Sequence, residues 1–304
     1  MTGLFEVVVP LLVVGIMVIV GTDIRFEDFL RMRRYPLLVP AIVTIQWVLL
    51  TLVAGLAGRA LDLPPEVVGG VLLVAAAPVA GMSIYYTQLA GGHLALAVTI
   101  AAVSNVLAVA ITPTAASLGF RWFLQANAEA ALPILKVAQQ TTFGFLLPLL
   151  FGMLIRFRSP AWVERWGRPL QGLGMAAIVA ILGMVVVDQI TAIRAQFGIL
   201  LGASILFTLV MLIAGLIVAK LLTRARNDQR AIMWGFPARN VALATLVATS
   251  VLGKVAVASF IAILFATQIV VLVPLAIWLR RRGGKQYSPR LPAAGRDAGN
   301  RLPG

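Results

Sequence analysis

The chain reads as an all-α polytopic membrane protein with nine transmembrane helices, arranged as inverted repeats with two crossed discontinuous helices. Three observations predict this. Of 304 residues, 61% are hydrophobic and 12% charged, and the apolar residues fall in runs of about 20, the length that spans a bilayer. The connecting segments alternate between rich and poor in Arg and Lys. Two of the apolar runs are broken by proline near their middle, and one of these also carries Arg239.

The spans are expected at 3–21, 36–58, 66–91, 93–119, 131–155, 170–190, 196–222, 229–252 and 254–280. The first starts almost at Met1 without a basic leader or a small-residue cleavage site, so it reads as a span rather than a signal peptide. Between the first two, DIRFEDFLRMRRYP has the pattern of a short amphipathic interfacial helix ended by Pro36. After residue 282 the composition changes. The segment 283–304 is rich in Gly, Pro and Arg and poor in apolar residues, which predicts a disordered basic tail behind a single transmembrane domain, 1–282.

The net charge of +14 is explained by topology. Segments 22–35, 156–169, 220–230 and the tail hold nineteen basic residues, and the intervening connections hold only Arg59, Arg121, Arg194 and Lys254. That is the positive-inside pattern, with the N-terminus out and the C-terminus cytoplasmic in an inner (plasma) membrane. It argues against a nucleic-acid footprint. The chain has no cysteine and a single histidine, His93, so thiolate metal sites, histidine metal sites and cysteine nucleophiles are excluded, and no cofactor is expected. His93 reads as a polar residue at a helix start. No Ser/His pair, paired carboxylate or metal cluster lies in the spans, so the protein is not expected to be an enzyme.

Arg239 lies about ten residues from either end of its span, near the bilayer midplane at roughly 1.5 Å per residue. A charge there is expensive without partners or water and marks a functional position. Pro237, two residues earlier, removes a backbone donor and turns Phe236 away from helical geometry. The third span carries a matching interruption, AAAPVAGMSIYYTQLAGG, with Pro78, Gly81 and Ser83 inside it. Paired broken helices in corresponding places are the signature of a carrier site. Asn240, Ser83 and Thr87 can hydrogen-bond across the breaks. Gln46 and Asn105 are polar residues that should face protein rather than lipid. Lys136, Gln139, Gln140, Thr141 and Thr142 form a polar belt in the fifth span that would line an outward cavity.

These stretches resemble the bile acid:sodium symporter family, within the wider group that includes arsenite and auxin carriers. The resemblance is carried by GGVLLVAAAPVAGMSIYYTQLAGGHLALAVTIAAVSNVLAVAITP, by FPARNVALATLVA, and by PLLVPAIVTIQW with its Gln46. It implies a core of spans 2, 3, 4, 7, 8 and 9 moving against a panel of spans 1, 5 and 6. It also implies sodium sites at the crossing, and there the sequence departs from the family. The family's carboxylate position holds Gly235, its usual glutamine is Arg239, the usual asparagine after Ser83 is Ile84, and two hydroxyl positions are Ala97 and Ala101. Hard cations need several oxygen ligands, preferably with negative charge. Residues 229–252 contain no acidic side chain.

The expectation is therefore a secondary transporter of small or amphipathic organic anions, working by alternating access in the lipid bilayer. Arg239 either replaces a bound cation, held by carbonyls and the Ser83 hydroxyl, or pairs with the substrate anion. Sodium or proton coupling and the oligomeric state stay open. The alternatives are a sodium-coupled bile-acid-like symporter, an arsenite- or proton-type exporter, and a non-transporting receptor or scaffold.

Overall fold

The computed structural model describes residues 2–124 and 133–282, and regular structure within them is helical. The proposed tail, 283–304, lies outside the described residues. Among the described residues, six helices are long and apolar enough to cross a membrane. They are α3 (Leu38–Ala60), α6 (Leu94–Phe123), the continuous Ile134–Arg158, α9 (Pro160–Asp188), α10 (Ile190–Leu222) and α13 (Val255–Arg282). The remaining apolar runs form α1 (Thr2–Asp23) and four shorter helices. α4 (Pro65–Ala76) and α5 (Met82–Leu89) come from the first broken span, α11 (Arg226–Trp234) and α12 (Val241–Leu246) from the second. The protein is a multi-pass membrane protein by these lengths and compositions.

Sequence explains the punctuation. The interfacial segment forms α2 (Phe26–Leu30) and one tight turn, Arg31–Arg34, before Pro36 stops it. Asp62 takes a left-handed conformation (φ 48°) after α3, and Pro65 opens α4 with the fixed φ a first helical residue needs. Gly91 (φ 68°) ends α5, a backbone geometry that suits glycine.

Helix ends differ from expectation at two connections. α9 begins at Pro160, ten residues before the expected span, so Arg165 and Arg168 are helical; only Ser159 separates it from the preceding helix. α10 begins at Ile190 and absorbs Arg194, with non-helical geometry at Gln196 as the trace of the expected boundary. Long Arg side chains reach water from a helical backbone, so charge marks the interface better than it marks the helix end.

Ile134–Arg158 consists of α7 (Ile134–Thr141), a π-helical turn at Thr142–Leu146, and α8 (Leu147–Arg158). Pro148 has no N–H to give back to this turn, and a π-turn is a common way for a membrane helix to absorb that loss. α1, α8 and α9 pack on one another, and α3, α4, α6, α10, α11 and α13 form a second packed set. α1 and α8 approach so closely that a methyl group on Gly21 would overlap the Leu149 carbonyl, and one on Gly152 would overlap the Val18 carbonyl.

Candidate transport site

Breaking a helix in mid-membrane strands backbone donors and acceptors where no lipid can satisfy them. Here the two breaks satisfy each other. Val79 and Arg239 form an antiparallel bridge, with the Ala80 N–H donating to the Ala238 carbonyl at 2.9 Å and the Asn240 N–H donating to the Pro78 carbonyl at 2.9 Å. The Val79 N–H donates to Ser104 Oγ at 3.0 Å. Pro78 sits inside one paired segment and Pro237 immediately before the other. Neither has an N–H to leave stranded, which is why proline fits there.

The C-terminus of α4 leaves carbonyls pointing into the same region, and three side chains converge on them. Arg239 donates from Nη2 to the Ala75 carbonyl at 3.1 Å. Trp47 Nε1 and Thr112 Oγ1 each donate to the Ala76 carbonyl at 2.8 Å. Arg239 also donates from Nη1 to Gln46 Oε1 at 3.2 Å, and its guanidinium lies 5.8 Å from the Trp47 ring centroid. A cation at the negative end of a helix is favourably placed, and the aromatic face adds to it. Arg239 is 2% exposed. Its partner is Gln46, not Ser83 as expected, because the α4 carbonyls and α3 lie on the side toward which the guanidinium extends.

Asn240 caps α12. Its Oδ1 accepts from the Leu243 N–H at 3.0 Å, and its Nδ2 reaches only the sulfur of Met17, at 3.8 Å. Ser83 is buried, and its hydroxyl has no hydrogen-bond partner among the described residues. Thr87 is buried and bonds back to the Ser83 carbonyl at 2.7 Å, a local helix bond rather than a bridge across the crossing. Gln46 Nε2, left over from the Arg239 contact, has no partner among the described residues and faces Gly235, where a methyl group would stand 2.7 Å away.

Beside the crossing is a cavity of about 820 Å³. Its floor includes Asn105, Asn240 and Gln268, its walls are apolar, with Ile16, Met17, Ile178 and Phe265, and its rim carries Asp23, Arg25, Asp28, Arg31 and Arg156. It lies between the two packed sets and reaches the end of the molecule where the arginine-rich segments lie. Gln46, Trp47 and Ala75 do not line it, so the guanidinium's bonds lie behind the cavity wall. The Lys136–Thr142 belt does not line it either. Lys136 and Gln139 are exposed, and Thr141 and Thr142 bond back to their own helix. His93 stands at the start of α6, and its Nδ1 lies 2.7 Å from the Asp228 carboxylate at the start of α11.

Residues 10–196, more than half of the chain, match the family model described as the Sodium Bile acid symporter family. The chain belongs to that family. A sodium bile acid symporter family protein is a membrane transporter rather than an enzyme, and both the first broken span and the following α6 fall within the matched part. The chain is also 27% identical over 231 residues to a Bacillus subtilis (strain 168) protein named "Uncharacterized sodium-dependent transporter YocS", covering 76% of this chain and 70% of that protein.

Trp47, Thr112, Ser104, Arg156 and Gln268 were not singled out from the sequence. Trp47 read as packing, and Arg156 as one more arginine of a basic connection. Gln268 carried a usable signal. Like Gln46, it is a lone amide in an apolar run, and such a residue must face protein or a cavity.

Proposed function

We infer that this chain is a secondary carrier of small or amphipathic organic anions in which the Arg239 guanidinium does the work of a bound cation. The observation that carries this is the tether itself: a buried guanidinium holding Gln46 of α3 and the terminal carbonyls of α4 together at the crossing. It stands in a segment without acidic residues, at the position where the family resemblance puts a glutamine of a sodium site. A fixed cation satisfies those oxygens without a mobile ion.

The carrier reading has nine crossings in inverted repeats. α3, the broken α4–α5 pair and α6 are followed in the same order by α10, the broken α11–α12 pair and α13. α3 leaves an arginine-rich connection and α10 runs toward one, so the two sets enter from opposite sides. α1, α7–α8 and α9 are the panel, the other set is the core, and the cavity between them is the inward-open substrate path. Its apolar walls suit an amphipathic anion, whose charged group meets Arg156 at a rim where Arg31 is paired with Asp28 and Arg25 with Glu164, rather than Arg239.

A sodium-coupled cycle is the second reading, favoured by the printed name of the Bacillus subtilis relative. Uptake of radiolabelled taurocholate into proteoliposomes, with sodium replaced by N-methylglucamine, separates the two. The tethered-cation reading expects rates within about twofold in the two buffers. A steep sodium dependence selects the coupled cycle, and no uptake in either buffer rejects transport of this anion class.

A further inference from the structure

Of the six long helices, α9 is the least buried. One face turns to the cavity with Gly174 and Ile178, and another carries exposed Leu173 and Val187. Its first turns, ahead of the expected span, are helical. They carry Trp162 and Trp166 one turn apart, 46% and 45% exposed, and Leu173 continues the same face seven residues later. Arg165 and Arg168, three residues apart on the neighbouring strip, are exposed and have no hydrogen bond, ion pair or ring contact among the described residues. The charges around them are already matched. Glu164 lies 3.9 Å from Arg25, Asp28 holds Arg31, and Arg156 donates to the Thr22 carbonyl.

An exposed tryptophan row beside two free guanidinium groups on one helix selects the chemistry of a partner. Tryptophan settles at the boundary between headgroups and hydrocarbon, and a guanidinium grips a phosphate with two parallel hydrogen bonds. From Arg165 to Leu173 the helix rises about 12 Å at 1.5 Å per residue. The polar layer of one leaflet is roughly 5–8 Å thick, so Leu173 stands in hydrocarbon when Arg165 stands at the phosphates. A soluble anion or an acidic peptide meets the arginines and leaves the apolar row unmatched. An anionic phospholipid meets both, with its head on the arginines and an acyl chain along Trp166 and Leu173. A zwitterionic lipid carries its own cation, which competes with the arginines for the phosphate.

We propose that the start of α9 binds the headgroup of an anionic phospholipid, with Arg165 and Arg168 on the phosphate and Trp162 and Trp166 against the glycerol and the upper acyl chains. The site lies on the lipid side of α9, away from the cavity, and does not depend on the carrier reading. A bound lipid fixes the depth of α9 in the bilayer and so steadies the wall that α9 gives to the cavity.

The test is thermal unfolding of the full-length chain in nanodiscs of phosphatidylcholine alone and of phosphatidylcholine mixed equally with phosphatidylglycerol. Phosphatidylglycerol is expected to raise the wild-type midpoint by about 3 °C or more, by mass action on the folded state, and high salt should shrink that rise. Arg165→Gln/Arg168→Gln should lose most of the rise. Arg33→Gln/Arg34→Gln, which removes two exposed arginines from the connection after α2, should keep it. Equal wild-type midpoints in the two discs overturn the site without needing any variant to fold. An equal loss in both double variants overturns it too, because the response then belongs to diffuse charge. A rise of the same size from soluble glycerol phosphate in phosphatidylcholine discs rejects the lipid as the occupant.

Discussion

Arg239 shows how a mid-membrane charge becomes tolerable. An arginine at the centre of a membrane helix costs about 2.5–3.5 kcal/mol on insertion scales, and here two oxygen acceptors and an aromatic face offset that cost. The fork matters as much as the charge, since Gln46 and the Ala75 carbonyl belong to different helices and one flat group reaches both. Lysine brings a single point charge to the same place. Arg239→Lys should therefore keep the protein folded but lower its thermal unfolding midpoint by several degrees in detergent, with a loss of about 1–3 kcal/mol for the bond that cannot be made. An unchanged midpoint would mean that the fork contributes nothing.

The need for partners was legible in the sequence, because Arg239, Gln46 and Asn105 are conspicuous in apolar runs. The partner on α4 was not, since every residue carries a carbonyl and only the folded crossing selects Ala75. Thr87 misled for a related reason. Its hydroxyl has a backbone oxygen one turn away in any helix, and that local bond won.

At the scale of elements, the breaks were legible because proline and a helix interior are incompatible. The antiparallel pairing of residues 78–80 with 238–240 was not, because it depends on two segments some 160 residues apart in sequence meeting in one place. The polar belt of the fifth span lies on α7, just before the π-turn and away from the cavity, a placement set by the packing of the helix rather than by polarity. That packing makes its own prediction. With Gly21 and Gly152 allowing backbones to touch, Gly152→Val must force α1 from α8. Thermal unfolding should register a destabilisation of about 1–3 kcal/mol, while Gly167→Val, at a glycine with open space around it, should unfold like the wild type. Equal behaviour of the two variants would show that the close approach is not needed.

For the whole molecule, the all-helical multi-pass class followed from composition and charge alternation, and the family from the resemblance of particular stretches such as the one around Pro78 and Ser83. The cavity did not, because it is a space between two packed sets and no local pattern records it. Its access can be read directly, since the natural chain has no cysteine to label. Ile178→Cys, on the α9 wall, should react with a membrane-impermeant maleimide added to inside-out vesicles and be shielded in right-side-out vesicles. Reaction from the opposite side alone would contradict an inward-open path.

A guanidinium covalently part of the chain differs from a sodium ion in one respect that touches cellular energetics. A mobile ion is released on the far side and adds its charge to the net current. On the proposed tethered-cation cycle, Arg239 would make the return journey with the protein and add nothing. Only the anion's charge would then be moved per cycle, and a voltage acts on it at about 2.3 kcal/mol per elementary charge per 100 mV. In a cell that is negative inside, the voltage pushes a monovalent anion outward. In proteoliposomes with a potassium-valinomycin potential, efflux of taurocholate should quicken when the interior is negative and slow when the sign is reversed, with no sodium present. The same tether that holds two broken helices together would thus make the carrier a rectifier oriented toward export.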